Sequence, residues 1–202
     1  ALLSTLDAAE QKQAFQIRLD MRDLVVEGIW DINPKYHLNR AKIANEQAKG
    51  VKYVPLADLV ELYAKANLVG GGVKVPVIRI QDLADSILNG TKDFLDLEGD
   101  EPKYKNLPLL MEDNLLLVAL VGKTLKPTIF KLTDGHQIAY SENIVPLQLK
   151  SNLVSLEYLQ CELASDFVLD QLEASHVGSV RPFINRANLK KILIRVPDRK
   201  EE

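Results

Sequence analysis

Ser179, Arg181, Asn185, Arg186 and Lys190 crowd into one stretch near the end of the chain, just after Gly178. Arginine presents a planar fork of five donors, and the asparagine amide both donates and accepts. These two side-chain types suit paired hydrogen bonds to the edges of guanine and adenine, while Arg186 and Lys190, with Lys191, suit phosphates. Ser179 adds a hydroxyl, and Gly178 suits a turn that a side chain would obstruct. Upstream, Arg79, Lys123 and Lys126 are further basic side chains, Arg79 at the end of an expected strand and the two lysines in an expected loop beside Gly122. From Gly178 onward there are seven basic residues (Arg181, Arg186, Lys190, Lys191, Arg195, Arg199, Lys200) against three acidic ones (Asp198, Glu201, Glu202). The chemistry on offer is recognition of a polyanion. A solvated basic face has the same sequence signature.

No bond-making cluster accompanies these residues. His37, His136 and His176 lie far apart, without a partner at metal-ligand spacing. Asp96, Glu98, Asp100 and Glu101 fall in an acidic stretch that solvation explains, and the pattern of a calcium loop is missing. Gly70-Gly71-Gly72 lacks the spacing of a phosphate cradle. There is no nucleophile elbow, and Asn33-Pro34-Lys35-Tyr36 only superficially resembles the Asn/Asp-Pro-Pro-aromatic motif of methyltransferases. Cys161 is the single cysteine, which excludes a disulfide or a cysteine-based metal site within one chain. The expectation is a non-catalytic protein without metal or cofactor.

Such residues need a scaffold to position them. Leu156, Leu159, Leu163 and Phe167, continued by Val168, Leu169 and Leu172, recur at helical spacing. They predict a helix from Ser155, its N-cap, to about Ala174, with the apolar stripe buried as core. Val73–Ile80, Leu115–Val121, Thr128–Leu132, Gln137–Tyr140, Asn143–Leu149 and Ile192–Val196 read as strands. Thr133-Asp134-Gly135-His136 reads as a hairpin turn between two of them, and Leu56–Ala66 as helical. Ala14, Ile17, Met21, Leu24 and Gly28 predict a helix from Ser4 to about Trp30, whose seam suits its own domain or a partner chain. Asn33-Pro34 should end it, with a short helix or linker over residues 35–50. No βα repeat demands a parallel sheet. The fold class is therefore α+β: a mixed, largely antiparallel sheet with packed helices, plus an N-terminal helix. The expected division is an N-terminal helix and linker over residues 1–50 and a main domain over 51–202.

At 202 residues, 47% hydrophobic and 26% charged, the chain can bury a real core and has no composition for wholesale disorder. No apolar run approaches the ~20 residues that span a bilayer, and no signal pattern opens the chain; a cytoplasmic protein without a membrane partner is expected. The net charge of −3 argues mildly against binding phosphates. Its distribution is uneven, however. Asp82 to Glu101 holds seven acidic residues and one basic, whereas Lys103 to Lys131 holds five lysines against Glu112 and Asp113. The absence of an initiator Met, and ends that lie beside helical or charged sequence, suggest a piece of a longer protein.

Four patches, in order, resemble one family. Glu157-Tyr158-Leu159 and Leu163-Ala164-Ser165, then Gly178, Ile184-Asn185, Leu189-Lys190-Lys191-Ile192 and Val196-Pro197, are similar to the end of a target recognition domain from the DNA specificity subunit of type I restriction-modification systems. Tyr53–Leu59, Val75–Leu83, and Asp113–Val118 with Val121-Gly122 resemble its earlier segments. The likeness spans about residues 51 to 197. Arg181 stands where glutamine is common, Asn188 where aspartate is common, and Asp198 where a second proline is common. After Glu202 the family would continue with a long spacer helix.

The resemblance implies a module that reads a half-site on double-stranded DNA, while separate adenine methyltransferase and restriction subunits carry out the chemistry. If the resemblance holds, the basic and amide side chains picked out above are expected to do the reading: Arg79, Lys123, Lys126, Ser179, Arg181 and Asn185 at the DNA face, and Arg186 and Lys190 on phosphates. The same residues fit the C-terminal recognition domain of a single-chain adenine DNA methyltransferase. A protein-interaction domain with no DNA role fits the acidic balance and the helical seam.

Overall fold

The apolar run Leu115–Ala119 is a strand buried on both faces. Leu115, Leu117 and Ala119 pack with Ile78, Phe130, Ile138 and Tyr140, whereas Leu116 and Val118 pack with Leu159, Leu163, Leu189 and Ile194. Successive side chains of a strand point to opposite faces, so one strand serves two cores. An antiparallel strand with one solvated face would alternate with polar residues; the second covered face is why this one does not.

The computed structural model describes residues 25–26, 29–30, 34–63, 66–67, 75–87, 91–92, 99–100, 107–131, 138–175 and 182–197. In chain order the elements are β1 (Val25–Val26), β2 (Ile29–Trp30), α1 (Pro34–Ala48), β3 (Lys52–Pro55), α2 (Leu56–Leu59), β4 (Val60–Leu62), β5 (Ala66–Asn67), β6 (Val75–Ile78), a 3-10 turn (Ile80–Asp82), β7 (Thr91–Lys92), β8 (Gly99–Asp100), β9 (Pro108–Leu110), β10 (Leu115–Ala119), β11 (Thr128–Phe130), β12 (Ile138–Tyr140), β13 (Ile144–Leu149), α3 (Leu156–Leu163), α4 (Asp166–Ser175), α5 (Arg186–Lys191) and β14 (Leu193–Val196). One five-stranded sheet has the order β4-β13-β10-β11-β7 and a second β5-β9-β12-β6-β8. The β11–β7 and β12–β6 pairs are parallel, and every other described pair is antiparallel. The fold class is α+β with mixed, largely antiparallel sheets and packed helices.

Local chemistry explains the helices. Ser155 accepts from the Tyr158 amide at 3.1 Å and caps α3, as its position predicts. The predicted single helix is instead two. Ser165 interrupts it, its carbonyl accepting from Val168 and Leu169 at 3.1 and 3.0 Å, and its hydroxyl from Val168 at 3.4 Å. A serine that satisfies the next helix's first amides favours a new start over continuation.

Four other expectations are corrected. Leu56–Ala66 is helical for one turn only; Val60–Leu62 then joins β13, with Leu149 opposite Val60 and Leu147 opposite Leu62. Sheet pairing outweighs a weak helical pattern. Strands β11 and β12 are not hairpin partners, because β11 pairs with β10 and β12 with β6 and β9. Nor does the N-terminal helix extend to Trp30: Val25–Val26 and Ile29–Trp30 pair antiparallel. Pro34 opens α1 where it was expected to end a helix; at a first helical position the missing N–H costs nothing. The helix predicted from Ser4, the Gly70–Gly72 loop, the 133–136 turn, His136, His176 and the Asp93–Glu98 stretch lie outside the described residues.

Candidate nucleic-acid interface

Strands β6 and β12 run parallel and end side by side, so Arg79 and Ser141 emerge together, with the Ser141 amide donating to the Ile78 carbonyl at 3.0 Å. The turn that follows leads into β13. Its Asn143 carbonyl accepts from the Leu120 amide at 2.8 Å, just beyond the end of β10. The Leu120 carbonyl accepts from Ile184 at 2.9 Å, and Val121 and Phe183 form an antiparallel bridge. The Gly122 amide donates to Pro182 at 3.0 Å. A run of backbone bonds therefore joins four segments far apart in sequence: the exit of β6, the β12–β13 turn, the loop after β10, and the approach to α5.

Gly122 holds φ +128, a conformation that L side chains rarely adopt. It turns the chain immediately after the bridge and sends Lys123 outward, where it is exposed. The loop closes when Ala119 donates to Leu125 at 2.7 Å, and Leu125 is buried. Across the bridge the strand alternation continues. Ile184 is 4% exposed in the helical core, and its neighbour Phe183 is 50% exposed.

The expected contact residues land as follows. Arg79 is exposed, and its amide donates to the Asp82 carboxylate at 2.7 Å, fixing the 3-10 turn. Lys126, at φ +46, pairs with Asp85 at 2.5 Å. Asn185 is exposed, but its Oδ1 accepts from the Asn188 amide at 2.8 Å and caps α5. The amide nitrogen of Asn185 is the part left to face a ligand. Arg186 is exposed and reaches the Glu142 carbonyl at 3.5 Å. It also lies close enough to Tyr140 to oppose the upward push of burial, which leaves that phenol raised to about 12. Lys190 is exposed on the last turn of α5, which is anchored by buried Leu189. Ser179 and Arg181 lie outside the described residues.

Arg79, Lys123, Asn185 and Arg186 thus share one end of the molecule. Asp82, Asp85 and Glu142 share it too, so the end is polar and mixed in sign. Phe183 was not anticipated as a surface residue. The alternation with apolar Ile184 was the available signal, but a lone aromatic beside an isoleucine reads as core. Among the described residues, no group of three or more His, Cys, Asp and Glu side chains is placed to hold a metal ion, and no helix is long and apolar enough to cross a membrane.

The first and last of the family-like patches meet through the β3–β14 pair. Strands β3 and β14 pair from Leu193 opposite Pro55 to Val196 opposite Lys52. Glu162, 6% exposed on α3, receives two bonds from the Arg195 guanidinium, at 2.8 and 3.0 Å, and one from its amide at 3.3 Å. That guanidinium also stacks 4.9 Å over the Phe167 ring. The Tyr158 hydroxyl donates to the Arg195 carbonyl at 3.1 Å, and Gln171 bonds both backbone groups of Leu193. On the outside of α4, Lys35 and Lys42 of α1 pair with Glu173 and Asp170, and the Tyr53 hydroxyl donates to Glu46.

No family model and no curated protein matches the chain. Solved structures resemble it at low identity. The HsdS subunit from Thermoanaerobacter tengcongensis has a TM-score of 0.48 at 10% identity, over 83% of this chain and 42% of its own. A structure concerned with complex assembly and conformational transition of the type I R-M system gives 0.47 at 10%, over 82% and 42%. The type I restriction-modification S subunit from M. genitalium gives 0.35 at 11%, over 80% and 39%. The chain spans about two fifths of the length of these structures.

Proposed function

We propose that this chain is a non-catalytic DNA recognition module of the type I restriction-modification specificity class, reading one half-site in the cytoplasm. Its partners are double-stranded DNA and separate adenine methyltransferase and restriction subunits. One observation carries the reading. The backbone ladder from Ile78 through Ser141, Asn143 and Leu120 to Ile184 brings Arg79, Lys123, Asn185 and Arg186 to one end, although they are spread over more than half of the chain. Loops held this firmly at their bases suit base-edge and phosphate contacts, which need side chains at fixed places. The first and last family-like patches support the same reading, because the pairing of β3 with β14 joins them, and Glu162 with Arg195 ties α3 to β14 within the last. Arg181→Ala with Lys123→Ala should weaken binding to duplex DNA. The assay is a binding selection on random duplexes in the presence of the cognate methyltransferase subunit, and unchanged binding removes this end from consideration.

The carboxylates Asp82, Asp85 and Glu142 at the same end favour a second reading, a protein-interaction surface without a DNA role. Salt separates the two. Phosphate contacts give an affinity that falls linearly on a log-log salt plot, whereas a mixed-sign protein interface responds less steeply.

A further inference from the structure

Resting on the DNA-recognition reading, we propose that Phe183 is an apolar wedge that contacts a base step of the duplex. A single exposed hydrophobic residue is ordinary; the way this one is held is not. Ile184 is anchored in the helical core at 4% exposure, and strand alternation turns its neighbour to the opposite side. The bridge to Val121 and the bonds of Gly122 to Pro182 and of Ile184 to Leu120 fix the backbone on both sides of the ring. The ring therefore stands 50% exposed on a rigid support and cannot fold back into the core without breaking those bonds.

Its neighbours match the surroundings of a base step. Lys123 follows the bridge on one side, and Asn185 and Arg186 follow Phe183 on the other, all exposed. Cationic and amide side chains flanking one protruding apolar group suit phosphates on either side of a partly opened step. The preceding Pro182 adds a second apolar surface without an amide to desolvate.

The test measures affinity for a fluorescent duplex of random sequence, and the salt slope of that affinity, for the wild type, Phe183→Ala, Phe183→Leu and Lys123→Ala/Arg186→Ala. The proposal requires Phe183→Ala to lose roughly tenfold in affinity with an unchanged salt slope, and Phe183→Leu to recover most of that loss. A duplex carrying 2-aminopurine should brighten with the wild type, through unstacking, and stay dark with Phe183→Ala. If Phe183→Ala binds as the wild type does while the basic double variant loses slope, the wedge is overturned and the recognition reading stands. If the wild type itself shows no salt-dependent duplex binding, both fall.

Discussion

Val121 and Phe183 face each other across an antiparallel bridge, and this pair ties the loop after β10 to the approach of α5. The two residues stand 62 positions apart in the chain. Through this bridge the loop turned by Gly122 acts on the placement of Lys123, Asn185 and Arg186 together.

Gly122→Ala should loosen that junction. A Cβ at this position meets only Thr124 O at 3.7 Å, so space is not the obstacle; the φ of +128 is. The expected loss is about 1–2 kcal/mol, a fall in Tm of a few degrees for a domain of this size. Thermal unfolding followed by circular dichroism measures it, and duplex affinity should fall by more than the stability loss accounts for.

Asn185 has two claims on it, and substitution separates them. Asn185→Ala removes the cap of α5 and should cost about 1 kcal/mol. Asn185→Asp keeps an acceptor for the Asn188 amide, so Tm should hold within a degree or two. The new negative charge would repel phosphate, and DNA affinity should drop. Unfolding and binding curves for the two variants must therefore diverge.

Glu162 is buried, with Arg195 as its cationic partner. Arg195→Ala should destabilise by roughly 2 kcal/mol, below the usual range for a broken buried pair because the arginine side chain is 38% exposed and water reaches it. Arg195→Lys should rescue only part of this, since it cannot make the forked pair or stack on Phe167 as well. Urea midpoints at constant m-value are the check.

Alkaline pH tests the burial of Tyr140. Its phenol is pushed up to about 12, chiefly by burial, from an ordinary value of 10.0. The folded protein therefore holds the proton more tightly than the unfolded chain. That stabilisation is complete below pH 10 and is lost as pH rises from about 10 through about 12, because the unfolded state ionises first. Tyr140→Phe should flatten the fall in stability across this window relative to the wild type; equal slopes would mean that the hydroxyl is not buried.

Much of the scaffold is legible in single residues. The all-apolar run at Leu115 announces a doubly covered strand, and Ser155 announces the start of a helix, because local sterics and capping act over a few residues. The break at Ser165 was not legible, because the stripe from Leu159 to Phe167 continues unbroken through it. The expected pairing of β11 with β12 fails for a similar reason: turn signals are local, but strand partners are chosen by the sheets. For the candidate site, residue types pointed to Arg79, Lys123 and Arg186. Their convergence depends on long-range backbone bonds that leave no trace in spacing. Asn185 was read as a base contact when its nearest physical task is a helix cap, a role that the following Arg-Ala-Asn could have suggested.

The salt dependence of duplex binding tests the central claim most directly. Affinity should be measured from about 50 to 200 mM salt for the wild type and for Lys123→Ala/Arg186→Ala, with Lys35→Ala/Lys42→Ala as a control pair that faces α4. The account predicts a log-log slope that becomes shallower by about 2 in the first double variant, close to one per lost phosphate contact, and that stays unchanged in the control. Equal slopes in all three proteins would contradict it.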